Sequence, residues 1–222
     1  LAVVLFIYFF QGTESTLGNS VFALPFFAFM GALIAAFLIY AIAWKDGITP
    51  IRLILVGIAF NAGFGALMIV IRLRMDETDF MQTTYWLTGN IWGSDWNSVL
   101  SILPWVIILI PVAWWKGRML NILRLGDSSS VSLGIPVERS RISLLVLAVA
   151  LAAVSVSVAG AISFLGLLAP HIARGLVGPR HQVSLPAAAL IGALILLLAD
   201  MIARNVLASS EIPVGILVAI LG

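Results

Sequence analysis

The 222-residue sequence contains no cysteine, two histidines and only two lysines, Lys45 and Lys116. The missing cysteines exclude disulfides, thiol catalysis and cysteine-based metal sites. His171 and His181 form no HExxH pattern, and no carboxylate stands at ligand spacing from either. Ser163, His171 and Asp200 supply the residue types of a hydrolytic triad, but the nucleophile-elbow motif is absent. His171, with Arg174, reads instead as the inner end of a short span. Neither lysine follows a glycine, so there is no GxxxxGK[ST] loop to cradle a phosphate. Any ATP-driven process would need an ATPase on another chain or outside this sequence. Charge itself is scarce, at 10% of residues against about 25% in soluble domains. Such a chain cannot wet its own surface, which excludes a soluble enzyme. The net charge of +2 is too small to suggest a nucleic-acid partner.

What fills the sequence is apolar: 62% of residues are hydrophobic and the mean hydropathy is +1.14. The apolar runs are 1–10, 21–43, 51–71, 99–115, 142–159, 161–173, 185–203 and 212–222. They are continuous rather than alternating, which argues for membrane helices and against an outer-membrane barrel. The first and last runs are too short to span, so an internal fragment of a longer membrane protein is expected, read as one transmembrane domain over 1–222. The run 142–173 would be about 48 Å long as a single helix, and Gly160 is its one weak break. Arg139 and Arg141 precede it, and Arg174 and Arg180 follow. Basic residues gather on the inner side of a membrane, so the run must cross twice, as a tight hairpin of one full and one short span.

The same rule orients the whole chain. Loops 44–52, 116–141 and 174–184 hold Lys45, Arg52, Lys116, Arg118, Arg124, Arg139, Arg141, Arg174 and Arg180 and are predicted to be inside. Segments 11–20, 72–98 and 204–211 hold Glu14, Asp76, Glu77, Asp79, Asp95 and Glu211, with Arg72, Arg74 and Arg204 nearby, and are predicted to be outside. Tyr85, Trp86, Trp92 and Trp96 cluster around Gly89 and Gly93 on the outer side. They read either as an interfacial aromatic belt or as a short helix bordering an outer vestibule. Leu24-Pro25-x5-Gly31-Ala32-Leu33-Ile34 is echoed by Leu185-Pro186-x5-Gly192-Ala193-Leu194-Ile195 on a helix of opposite direction, as an inverted repeat requires. Asn61, flanked by Ala62, Gly63, Gly65 and Ala66, reads as a point of close helix packing.

The long inner loop 116–141 has internal order. Met119 to Leu125 is predicted as a short apolar-basic helix ended by Gly126, and Asp127 or Ser128 caps a second turn that ends at Gly134 and Pro136. This makes a compact knob, with Met119, Leu120, Leu123 and Leu133 available for docking. Asp200 and Arg204 stand four apart and predict an i,i+4 pair; the alternative leaves Arg204 to meet an acidic partner outside.

Taken in order, MLNILRLGDSSSVSLGIP, AGAISFLGLLAPHIARGLVG, LP-x5-GALILLLADMIAR and EIPVGILVAILG resemble the FecCD family, as does YWLTGNIWGSDW. These are permease subunits of binding-protein-dependent ABC importers for iron-siderophores, haem and vitamin B12. The resemblance implies an all-α polytopic bundle, the last two thirds of a ten-helix subunit with inverted repeats, in the inner or plasma membrane of a prokaryote. It implies a second permease subunit (identical or not) with the path between them, cytoplasmic ABC ATPases, and an extracytoplasmic substrate-binding protein. Met119–Pro136 resembles the ATPase-coupling helices, which brings Leu125, Gly126, Asp127 and Gly134 into the expected contact. Arg204 resembles an arginine that salt-bridges a glutamate of the binding protein. No cofactor and no covalent chemistry are implied. Iron(III)-siderophore is the expected substrate, being the family's commonest. A gradient-driven secondary transporter is the alternative, but it should carry several embedded carboxylates, and only Asp200 qualifies.

Overall fold

The computed structural model describes residues 1–11, 23–44, 49–91, 94–206 and 213–221. Glu14, Lys45, Trp92, Gly93 and Glu211, with most of the outer segments 11–20 and 204–211, lie outside the described residues. Every regular element within them is helical. In chain order these are α1 (Ala2–Phe6, running into a wider turn at Ile7–Gln11), α2 (Ala23–Ala43), α3 (Pro50–Arg72), α4 (Glu77–Leu87), α5 (Trp96–Leu123), α6 (Asp127–Ser132), α7 (Val137–Ala159), α8 (Leu165–Val177), α9 (His181–Val206) and α10 (Val214–Leu221). Of these, α2, α3, α5, α7 and α9 are long and apolar enough to cross a bilayer.

Local chemistry sets the helix ends. Pro50 opens α3 at its first position, where the missing N–H costs nothing. Asp95 caps α5, its Oδ1 accepting from both the Ser98 N–H and the Ser98 hydroxyl at 2.9 Å. α5 continues through Pro104 and Pro111 for 28 residues, about 42 Å against a hydrocarbon core of roughly 30 Å. Its inner end therefore projects beyond the membrane. Here the structure corrects the sequence reading: Met119–Leu123 is no separate helix but the last turn and a half of α5. Nothing between Lys116 and Leu123 breaks helical geometry, so the span simply runs on, and the connection from α5 to α7 shrinks to 124–136, with α6 inside it.

The run 142–173 breaks at Gly160 into two helices as expected, but they do not pair as a tight hairpin, because the link after Gly160 carries α8 onto α9. α7 ends at Gly160 (φ 71°, ψ −163°), a conformation open essentially to glycine alone. After an extended link, α8 returns for only 13 residues, about 20 Å. α8 packs on α9, α2 on α7, α5 against both α7 and α9, and α10 on α9. Lipid gives helices no hydrophobic reason to associate, so close approach through small residues does the work. The core reflects this: Ala199 and Ala203 of α9 meet Val214 and Val218 of α10, while Val3 and Ile7 meet Ala28 and Trp86. The two halves of the Leu-Pro echo behave alike. Gly31 of α2 lies against Ala2 of the preceding short helix, and Gly192 of α9 lies against Ala169 of the short helix before it.

At the outer side α4 turns into a three-glycine junction. The Gly215 N–H donates to the Gly89 carbonyl at 3.0 Å. A Cβ on Gly160 would lie 2.1 Å from the Trp86 carbonyl oxygen, and one on Gly215 would lie 2.2 Å from that of Thr88. The segment 72–98, assigned outside by charge, thus meets the link after α7 and the start of α10. Inner segments do likewise: Tyr40 of α2 donates to Glu138 at the start of α7, and Lys116 to Ser143.

Candidate functional site

The inner knob is built by two fastenings. Gly126 takes φ 96° and ψ 163°, again a glycine conformation, and turns the chain from α5 into α6. Ser130, fully buried, donates from Oγ to the carbonyls of Gly126 (2.8 Å) and Ile122 (3.1 Å), which ties α6 back onto α5. Asp127 accepts from Arg141 at 2.7 Å, bracing the knob against α7. The exit is a Schellman turn: the Gly134 N–H donates to the Val131 carbonyl and the Ile135 N–H to that of Ser130.

These contacts sort the expected docking residues. Met119, Leu120 and Leu123 are half-buried on α5, whereas Leu125 and Leu133 are 63% and 61% exposed. Gly126, Asp127 and Gly134 shape the knob. Val131, 62% exposed between the two leucines, was not singled out by sequence, and neither was Ser130. Both sit in a polar serine run, where nothing in composition distinguishes an apolar edge from a buried peg. The knob thus offers a protruding edge of Leu125, Val131 and Leu133.

On the outer side, Arg204 is half-exposed near the end of α9, its Nε donating to Asp200 Oδ2 at 2.8 Å. The i,i+4 pair therefore forms. Asp200 Oδ1 is buried without a hydrogen-bond partner. Arg72 lies over the Phe80 ring at 4.5 Å and donates to Thr84, which secures α4 to the end of α3. The aromatic cluster divides: Trp86 turns inward against Val3 and Ile7, while Trp96 is 80% exposed. Among the described residues of the cluster, Trp86 alone is anchored, on the short helix α4. Asn61 departs from expectation. It is exposed in the middle of α3, and a Cβ on Gly57, Gly63 or Gly65 would meet nothing within 4 Å. No described helix uses this small-residue face.

The FecCD transport family matches residues 1–222. The chain belongs to the FecCD transport family. It is 57% identical over 223 residues to the iron(3+)-hydroxamate import system permease protein FhuG of Bacillus subtilis, covering 100% of this chain and 66% of that one. It is 41% identical over 222 residues to the iron-uptake system permease protein FeuC of the same organism, covering 99% of this chain and 66% of the relative. A solved ABC transporter assigned to the metal-chelate type, in an inward-facing conformation, superposes with a TM-score of 0.89 at 28% identity, covering 100% of this chain and 68% of that one. The chain spans about two thirds of the length of these FecCD relatives, and its long helices make it a multi-pass membrane protein.

Proposed function

We propose that the protein is the permease subunit of an ATP-driven importer that carries an iron(III)-hydroxamate complex across the cytoplasmic membrane. The observation that carries this reading is the 57% identity with an iron(3+)-hydroxamate permease along the entire chain. This reading assigns each partner a surface. A cytoplasmic ABC ATPase receives the edge Leu125–Val131–Leu133. An extracytoplasmic binding protein meets Arg204, whose pairing with Asp200 presents the guanidinium at the end of α9. A second permease subunit faces α3. A polar group on an exposed mid-membrane helix face calls for protein or water beside it, so the Asn61 face suits a subunit interface enclosing a path.

The test is complementation of a strain lacking its own hydroxamate permease with the full-length gene and cognate partners. Uptake of radio-iron as a hydroxamate complex, abolished when the ATPase loses its nucleotide-binding lysine, is expected. Uptake of haem or ferric citrate but not of the hydroxamate would overturn the substrate. Uptake that survives ATP depletion but collapses with an uncoupler would overturn the mechanism.

A further inference from the structure

A second feature marks the inner face, adjoining the exposed edge, with which it shares Leu125. A cavity of about 560 Å3 opens between the end of α5 and the Gly178–Arg180 link, lined by Asn121, Arg124, Leu125, Pro179, Arg180 and Gln182. Its amides satisfy one another: Asn121 Nδ2 donates to Gln182 Oε1 at 2.7 Å, and Asn121 Oδ1 accepts from the His181 backbone N–H at 3.0 Å. That leaves two guanidinium groups, 56 residues apart in sequence, as the only charges in the lining, with no carboxylate among them. Arg124 spends one N–H on the Pro179 carbonyl at 2.9 Å, which holds its planar fork at the pocket. Arg180 is exposed and pairs with no described carboxylate, and nearby Asp127 is already engaged by Arg141.

The rim is apolar. Trp114 donates its indole N–H to the Gln182 carbonyl at 2.9 Å while its ring stays 57% exposed. Leu125, part of the lining, is exposed as well. Tryptophans of this kind sit at headgroup level, and basic pockets between helices on this side suit anionic headgroups. We propose that the pocket binds the phosphodiester headgroup of an anionic inner-leaflet phospholipid, with the phosphate on Arg124 and Arg180 and the acyl chains beside the tryptophan and leucine rim. A soluble anion or an acidic protein segment would need the two guanidinium groups but not the apolar rim.

The full-length permease, incubated with equal amounts of cardiolipin and phosphatidylcholine, should retain cardiolipin preferentially in native mass spectrometry. Each of Arg124→Gln and Arg180→Gln should lower cardiolipin retention about fivefold, the contribution of one basic residue near an anionic surface. Arg180→Lys should preserve most of it, and phosphatidylcholine retention should not change. Arg180 holds no other part of the fold, so unchanged cardiolipin retention in Arg180→Gln overturns the proposal. Equal thermal stabilisation by millimolar inorganic phosphate would make this a site for soluble anions and also overturn it. So would loss of ATPase co-purification in Arg180→Gln with lipid retention intact, which would assign the pocket to a protein.

Discussion

Ser130 shows how much one hydroxyl can hold: it is the only side chain that hydrogen-bonds α6 to α5 among the described residues. Ser130→Ala removes the donor to two carbonyls and should cost about 1 kcal/mol, read as a lower melting temperature in detergent. Ser130→Leu has no space to occupy and should detach the knob, exposing it to limited proteolysis. Leu133 and Leu123 separate docking from packing. Leu133→Asp should abolish ATPase-coupled uptake with the melting temperature unchanged, because that side chain is exposed. Leu123→Asp should lower both, because it is half-buried on α5. If Leu133→Asp transports normally, the exposed edge is not where the ATPase docks. At Asp95 the Ser98 backbone N–H, then its hydroxyl, holds the carboxyl below its ordinary range. The folded value is depressed, so the capping contribution is fully present above the unfolded carboxylate value of about 3.9. It fades as pH falls through the lower folded value. Between pH 5 and pH 3, roughly the window around that value, the melting temperature of Asp95→Ala should therefore fall less than that of the parent chain.

Among elements, α4 and the link after α7 depend on approach distance rather than side-chain chemistry. Gly160→Ala and Gly215→Ala would each force a methyl against a carbonyl oxygen and should cost about 1–3 kcal/mol or more. Gly57→Ala, with nothing within 4 Å, should be neutral or stabilise α3 by about 0.5–1 kcal/mol. Equal melting temperatures for Gly57→Ala and Gly215→Ala would show that the junction is not a tight contact. The long spans were legible because hydropathy and charge act over twenty residues, and the break of 142–173 into two helices followed from matching basic flanks. The run of α5 past Lys116 was not legible: an amphipathic stretch looks like a new helix unless a breaker is known to be missing. α4 was legible only as one of two readings, because eleven residues rich in aromatics serve a belt and a helix equally well.

For the whole molecule, contacts near the predicted inner helix ends join Tyr40 to Glu138 and Lys116 to Ser143, while most of segments 11–20 and 204–211 lies outside the described residues. The site was less legible. Leu125 and Leu133 stand where the motif put them, but Val131 and Ser130 gained their roles only from the fold of the knob. The Asn61 face meets no described helix of its own chain, because small residues signal close approach without saying to which chain. These 222 residues are free of cysteine, which gives a direct check once any cysteine elsewhere in the full chain and its partners is replaced. In the assembled full-length importer, Asn61→Cys should react with a membrane-impermeant thiol reagent or cross-link to its counterpart on a second subunit. Neither outcome would mean that α3 faces lipid and that the path lies elsewhere.

The junction of Gly89, Gly160 and Gly215 also bears on inheritance. Every missense change at a glycine codon adds at least one carbon to the residue, and at Gly160 and Gly215 that carbon has no room beside a backbone oxygen. No codon at these positions is one mutation from a harmless alternative. A saturation library selected for iron uptake should return them as nearly blank columns.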